Sequence, residues 1–306
     1  MKKGNYDNEE SSLIKGGMKV VNHKENLNHA LVLGGGGSLA IGWQLGYISA
    51  LDQAGIDVRH SDLVIGTSGG AQAATGITSN KGWEDIFEEQ IAPKSNEEPP
   101  SQDMSGVFAR YNEIEKSANT PKEWIENYSE YALEDNKFDE NEHINRLKHR
   151  IKMDEWPQNL MITAVNAQKA ERVAFTSESE VDLYRAMASS GSLPGVWPAT
   201  TVNGQKHFDG GCHSMENADL AKGAKKVLIL STNLPISTPY RLDDAIKELE
   251  DNGADVKLIT PSQDVFNKLN ELGGNTVDPS IRPEIAKLGE AQGRKDAEMI
   301  KQFWSE

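Results

Sequence analysis

The stretch LVLGGGGSLAIGW, residues 31–43, constrains the fold more than any other. A short apolar run of β type, HALVL (29–33), runs into four consecutive glycines. After Gly37 the apolar residues Leu39, Trp43, Leu45, Tyr47, Ile48 and Leu51 recur with helical spacing, and Gly55 stands where a C-cap belongs. Strand, turn and helix in that order open a βα unit. Glycine loses more conformational entropy on folding than any other residue, so four together imply that something approaches the backbone closely. A phosphate, a nucleotide or a developing oxyanion would each fit.

The same alternation continues down the chain. SDLVIG (61–66) is a short apolar run, and GGAQAATGI after it reads as a tightly packed helix. NLMITAV (159–165) and ERVAF (171–175) are strand-like. VDLYRAMASSGSLPGVW (181–197) reads as a helix breaking into a proline-bounded loop, and TTVNGQKHFDGG (200–211) as a hairpin turning at Asn203-Gly204. KKVLIL (225–230) and DVKLIT (255–260) are further buried strands with helical RLDDAIKELEDNG between them, and a long helix runs from Glu284 to Trp304. Such alternation predicts an α/β fold with a mainly parallel sheet. From Ala92 to about Thr120 the composition changes, and PKSNEEPPSQD has little to bury, so a loop or insertion is expected there. Residues 121–151 read as helices beginning at Pro121. Residues 92–150 are thus expected as a helical insertion capping one side of a single domain over 29–306. Residues 1–28 read as a polar, flexible tail without the apolar core of a signal peptide.

Charge and cysteine usage exclude some classes. Asp plus Glu number 47 against 32 Lys plus Arg, for a net charge of -15. That balance argues against a nucleic-acid partner, because phosphate backbones reward basic surfaces. One cysteine, Cys212, allows no internal disulfide and fits a reducing compartment, so a cytoplasmic location is expected. No apolar run approaches the roughly 18 residues of a membrane span. No cluster of His, Cys, Asp and Glu has metal-ligand spacing, so no metal is expected.

Three motifs carry chemistry. Gly35, Gly37 and Ala40 satisfy G-x-G-x-x-A, a variant of the dinucleotide fingerprint, and Asp57 falls roughly where a ribose ligand belongs. On this motif alone a dinucleotide-binding oxidoreductase stays open; no Gly-Lys-Ser/Thr follows, so a Walker loop does not. Gly66-Thr67-Ser68-Gly69-Gly70 is G-x-S-x-G between an expected strand and an expected helix, the setting of a strained turn presenting a nucleophilic serine. The helix N-terminus behind it offers unpaired N–H donors. Asp209-Gly210-Gly211, in HFDGGCH, is either a plain turn or a carboxylate able to take a proton from Ser68. His213 follows on the same short loop and is the nominal third member of a Ser, acid, His order.

A glycine run, then G-x-S-x-G, then D-G-G on an α/β pattern resembles the patatin-like phospholipase family, with similarity extending over roughly residues 29–304. GSLPGVWP, DGGCHSMENADLAKGAKKVLIL and LGEAQGRKDAEMI resemble a bacterial branch of it. The resemblance implies a three-layer αβα sandwich and a serine acyl hydrolase with a Ser–Asp dyad and no histidine. By position, Ser68 is then the nucleophile and Asp209 its partner. Gly66, Gly70, Gly210 and Gly211 shape the two motifs, and the amides of Gly35, Gly36, Gly37 and Gly69 form the oxyanion hole. The implied partner is a lipid acyl ester (phospholipid, lysophospholipid or glyceride), met with transient membrane contact. Trp43, Leu193, Val196 and Trp197 are candidates for the walls of an apolar acyl pocket, or are ordinary core. The chain departs from the family's G-G-G-x-R/K-G at Leu39 and Ala40, and Asn217-Ala218 stands for Asn-Pro. A non-catalytic lipid-binding protein of the same fold is the alternative those departures keep open.

Overall fold

The computed structural model describes residues 27–91, 104–153 and 155–305. The elements follow as β1 (Leu27–Leu33), α1 (Gly37–Gln53), β2 (Leu63–Thr67), α2 (Gly69–Ile77), α3 (Trp83–Ile91), α4 (Met104–Ser117), α5 (Pro121–Ala132) and α6 (Glu140–Arg150). Then come β3 (Leu160–Asn166), β4 (Glu171–Phe175), α7 (Leu183–Gly191), β5 (Thr200–Val202), β6 (Gln205–Asp209) and β7 (Ala224–Leu230). The last are α8 (Leu242–Asp251), β8 (Asp255–Ile259), α9 (Gln263–Glu271) and α10 (Arg282–Ser305).

One sheet runs in the order β5-β6-β3-β2-β1-β7-β8, and β4 pairs with β3 off this path. The pairs β1–β2, β1–β7, β2–β3 and β7–β8 are parallel; β4, β5 and β6 join antiparallel. Parallel strands are covered on both faces, which is why β1, β2 and β7 read as apolar runs rather than as alternation. Leu31, Leu33, Leu228 and Leu230 pack into the layer of α1, α2, α7 and α10. Val32, Ile65, Val227 and Ile229 pack into the opposite layer, with Leu249 of α8 and the turn at Ala218–Ala221. The result is a three-layer αβα sandwich around a mainly parallel sheet.

Helix α1 is buried from Ser38 to Leu51, because sheet, α2, α3 and α10 surround it. Glycines at i and i+4 on both partners let α1 and α10 touch backbone to backbone. A Cβ on Gly46 would lie 2.0 Å from the Ala286 carbonyl oxygen, and one on Gly289 2.4 Å from that of Trp43.

Several boundaries differ from the sequence expectation. The tail expected over 1–28 lies outside the described residues up to 26, whereas Leu27 and Asn28 already belong to β1. Pairing of Leu27 with Ala224, and an Asn28 N–H bond to Asp62 at 2.7 Å, fix that start. Within the stretch expected as loop, 92–103 lies outside the described residues, but α4 begins at Met104. Val107 and Ile114 on one face of α4 are buried, and that spacing supports the helix. The one-sided cap is corrected to a divided one. Helices α4 and α5 pack Ile114, Trp124 and Tyr128 against Val165 and Phe208, while α6 sends Ile144 and Leu147 to the layer of α7.

Strand β3 works as a splint at the sheet's centre. Its residues 160–163 pair with β2 and its residues 164–166 with β6, so Thr67 lies opposite Thr163 and Asp209 opposite Ala164. The end of β2 and the end of β6 therefore meet.

Candidate active site

Ser68 sits where β2 ends and α2 begins, with φ 56° and ψ -120°. A positive φ is strained for a residue with a Cβ, and it turns the side chain out of the sheet. Two glycines permit so tight a turn. A Cβ on Gly66 would stand 2.5 Å from the Ala71 Cα, and one on Gly70 2.2 Å from the Leu33 carbonyl oxygen. The Ser68 N–H donates to Ser190 Oγ of α7 at 2.8 Å, which holds the strained peptide in place.

Ser68 Oγ donates to Asp209 Oδ2 at 2.7 Å. Asp209 Oδ1 accepts the Gly211 N–H at 2.7 Å. The Asp209 side chain is 2% exposed. Burial pushes its pKa up to about 7, against the lowering effect of those two hydrogen bonds. Gly210 lies against Thr163, where a Cβ would come within 2.6 Å of Oγ1. Behind the pair, Asn217 Nδ2 reaches Thr67 Oγ1 at 3.1 Å, Thr163 Oγ1 at 3.3 Å and the Ser214 carbonyl at 2.7 Å. It ties β2, β3 and the turn after β6 together. Neither Ser190 nor Asn217 was singled out for a role by the sequence motifs, since each acts through a fold contact rather than a local pattern.

The four candidate oxyanion amides separate. The Gly35 N–H donates to the Met215 carbonyl at 2.8 Å, so Gly35 is corrected from a free donor to a structural one. Among the described residues, no acceptor bonds the N–H of Gly36, Gly37 or Gly69. Gly36 (φ 137°) and Gly37 (φ 59°) need glycine for their backbone, and Gly37 packs directly on Gly69.

Among the described residues, two cavities open on Ser68 and share Gly37, Leu193, Asp209 and Val277. The larger, about 350 Å³, is walled by Met104, Phe108, Tyr111, Trp124 and Tyr128 of α4 and α5, with Leu234 and Ile236 opposite. The smaller, about 110 Å³, is lined by Gln72, His143, Arg146, Arg150, Val196 and Trp197. Trp197 stacks on His143, with ring centroids 4.5 Å apart and planes 3° from parallel. Of the expected pocket walls, Leu193 borders both cavities, and Val196 and Trp197 border the smaller one. Trp43 borders neither. It is fully buried in the α1–α10 seam, where its Nε1 donates to Gln292 at 3.0 Å. The apolar walls come instead from the insertion, whose aromatic spacing at 108, 111, 124 and 128 was the available signal.

His213 stacks on Tyr240 and has no bond to Ser68. Asp57, the candidate ribose ligand, bonds the exposed His60 at 2.8 Å and lines neither cavity. Among the described residues no group of three or more His, Cys, Asp and Glu side chains could hold a metal ion, and no helix is long and apolar enough to cross a membrane.

Several solved structures are distantly similar to this chain. VipD from Legionella pneumophila is 14% identical at a TM-score of 0.42, covering 90% of this chain and 67% of its own. Human GIVD cytosolic phospholipase A2, in complex with methyl γ-linolenyl fluorophosphonate, is 12% identical at 0.44, covering 92% and 59%. ExoU, a type III effector of Pseudomonas aeruginosa, is 13% identical at 0.41, covering 89% and 53%. The chain thus spans between about half and two thirds of their lengths. No curated protein matches its sequence. The family model for patatin-like phospholipase matches residues 31–222, which hold the glycine run, the Ser68 elbow and Asp209, and the chain belongs to that family.

Proposed function

We propose that the protein is a serine acyl hydrolase acting on carboxylic esters of lipids. Ser68 Oγ attacks the ester carbonyl and passes its proton to Asp209. The tetrahedral oxyanion is held by the N–H groups of Gly36, Gly37 and Gly69, each typically worth about 10²–10³-fold in rate. Asp209 returns the proton to the departing alcohol, then activates the water that releases the acyl group. The larger cavity takes the acyl chain. The chemistry needs no metal or cofactor, and a cytoplasmic location is part of this reading.

One observation carries it: a strained serine donates at 2.7 Å to a buried carboxylate at the junction of two cavities. An ordinary carboxylate, with a pKa of about 3.9, is a poor base for a hydroxyl. Burial removes that objection for Asp209, whose pKa lies near 7. The test is fluorophosphonate labelling with peptide mass spectrometry on wild type and Ser68→Ala. An adduct on the Ser68 peptide, absent from the variant, is expected. No adduct, under conditions that label a control hydrolase, would reject an activated serine.

A further inference from the structure

Each peptide of the glycine run is held by a different partner. The peptide joining Gly34 to Gly35 is closed on both sides. Its carbonyl accepts Gln44 Nε2 of α1 at 2.8 Å, and its N–H, on Gly35, donates to the Met215 carbonyl at 2.8 Å. The next peptide, Gly35 to Gly36, is closed on one side. Its carbonyl accepts the Thr232 hydroxyl at 2.8 Å, and its N–H, on Gly36, has no acceptor among the described residues. Helix α1 cannot take over that carbonyl, because the N–H four residues on, at Leu39, donates to the Thr276 carbonyl at 3.1 Å. The following peptide needs no such help: the Gly36 carbonyl accepts the Ala40 N–H at 3.3 Å as the helix begins.

Thr232 is 1% exposed and lines neither cavity, whereas Gly36 lines the larger one with Ser68. Thr232 follows directly on β7, where the Ser231 N–H donates to the Ile259 carbonyl of β8 at 3.1 Å and so ties that end to the sheet. Gly36 presses on the threonine, and a Cβ there would lie 2.8 Å from both Cγ2 and Oγ1 of Thr232.

We propose that Thr232 is a positioning residue that aims the Gly36 N–H at the oxyanion. The proposal rests on reading Ser68 as the nucleophile. A trans peptide is planar, and its C=O and N–H point in opposite directions. Gripping the Gly35 carbonyl from the sheet side therefore sends the Gly36 N–H the other way. With glycine on both sides of the peptide, no Cβ restricts the plane, so the hydroxyl supplies the restraint that the residues themselves lack. An oxyanion hole works because its donors are aimed before the reaction and need not reorganise during it. An accepted carbonyl also polarises its amide, which strengthens the N–H as a donor.

The experiment compares wild type with Thr232→Val, which keeps the branched shape and removes the donor, and Thr232→Ser, which keeps the donor. Thr232→Val should lower kcat for a soluble short-chain ester by about 10–100-fold, less than the loss of a whole donor, with KM little changed. Thr232→Ser should recover most of that loss. The second readout is binding of an alkyl trifluoromethyl ketone. Ser68 Oγ adds to its carbonyl carbon, the hydroxyl proton passes to Asp209, and the carbonyl π pair moves onto oxygen as an oxyanion. Thr232→Val should weaken this inhibitor by the same factor as kcat/KM. It should leave affinity for the matching trifluoromethyl carbinol, which cannot form the adduct, unchanged. If Thr232→Val fails to melt cooperatively, Thr232→Ala serves in its place with the same expectations. Wild-type kcat and ketone affinity without the hydroxyl, or an equal loss for ketone and carbinol, would overturn the proposal. Ketone affinity unchanged in Ser68→Ala would overturn the reading of Ser68 as the nucleophile, and the proposal with it, whatever the Thr232 variants do.

Discussion

Ser68 Oγ and Asp209 Oδ2 lie 2.7 Å apart across 141 residues of sequence. The distance is set by β3, which pairs Thr67 with Thr163 and Asp209 with Ala164. Adjacent positions on one strand thus align the ends of two others. The carboxylate must be ionised to accept the serine proton, and burial places its pKa near 7. Ester hydrolysis measured as kcat/KM should therefore rise with pH to a plateau, with an acid limb near 7. A limb near pH 4, where a solvated aspartate titrates, would mean that Asp209 is not the base.

The same burial makes the carboxylate a stability liability. Its pKa is about 7 when folded against the ordinary 3.8, so the folded state binds a proton between those values that the unfolded state does not. Stability contributed by Asp209 is then full below pH 4 and lost as pH rises toward 7, with a ceiling of about 4 kcal/mol. Asp209→Asn should melt higher than wild type at pH 8, and by clearly less at pH 5, while losing hydrolysis by about 10³-fold or more. Thermal melts at both pH values check this. An advantage independent of pH would sink it.

Much of this was legible because it is local. The glycine run, Gly66 to Gly70 and Asp209 to Gly211 each encode a turn through close backbone approach, and parallel strands reveal themselves as apolar runs. What was hidden depends on tertiary contact. Gly35 loses its amide to Met215, a residue 180 positions away, and no pattern around Gly35 announces it. The apolar walls on α4 and α5 lay beside a polar stretch that masked them. Arg146 and Arg150 belong to no sequence motif, and the fold brings them to the smaller cavity beside Ser68.

Asn217 illustrates a positioning residue in detail. Its amide satisfies the buried hydroxyls of Thr67 and Thr163 beneath Ser68. Asn217→Ala leaves Thr67 and Thr163 bonded to each other at 2.8 Å but removes the donor to the Ser214 carbonyl, at a cost of about 1–3 kcal/mol. It should lower both the melting temperature and kcat, with KM little changed. Unaltered kcat in a destabilised but folded variant would restrict Asn217 to a structural role.

Trp43 tests the boundary between core and site. It fills the α1–α10 seam and lines neither cavity. Trp43→Phe removes the bond to Gln292 and part of the ring, which should cost about 1–3 kcal/mol. Hydrolysis by the folded fraction should keep its wild-type kcat/KM. A selective loss on long-chain esters would return Trp43 to the acyl pocket.

The acyl pocket itself is tested from Met215, which lines the larger cavity beside the glycine run. A bulkier side chain there narrows the larger cavity where it meets the glycine run. Each methylene accommodated in an apolar pocket is worth roughly 1–3 kcal/mol of discrimination, so narrowing it acts strongly on long esters. Met215→Trp should lower the ratio of kcat/KM for laurate over butyrate esters by about tenfold or more. Fluorophosphonate labelling with a short alkyl probe should persist, which separates a blocked channel from a damaged serine. An unchanged chain-length ratio would move the acyl chain out of this cavity.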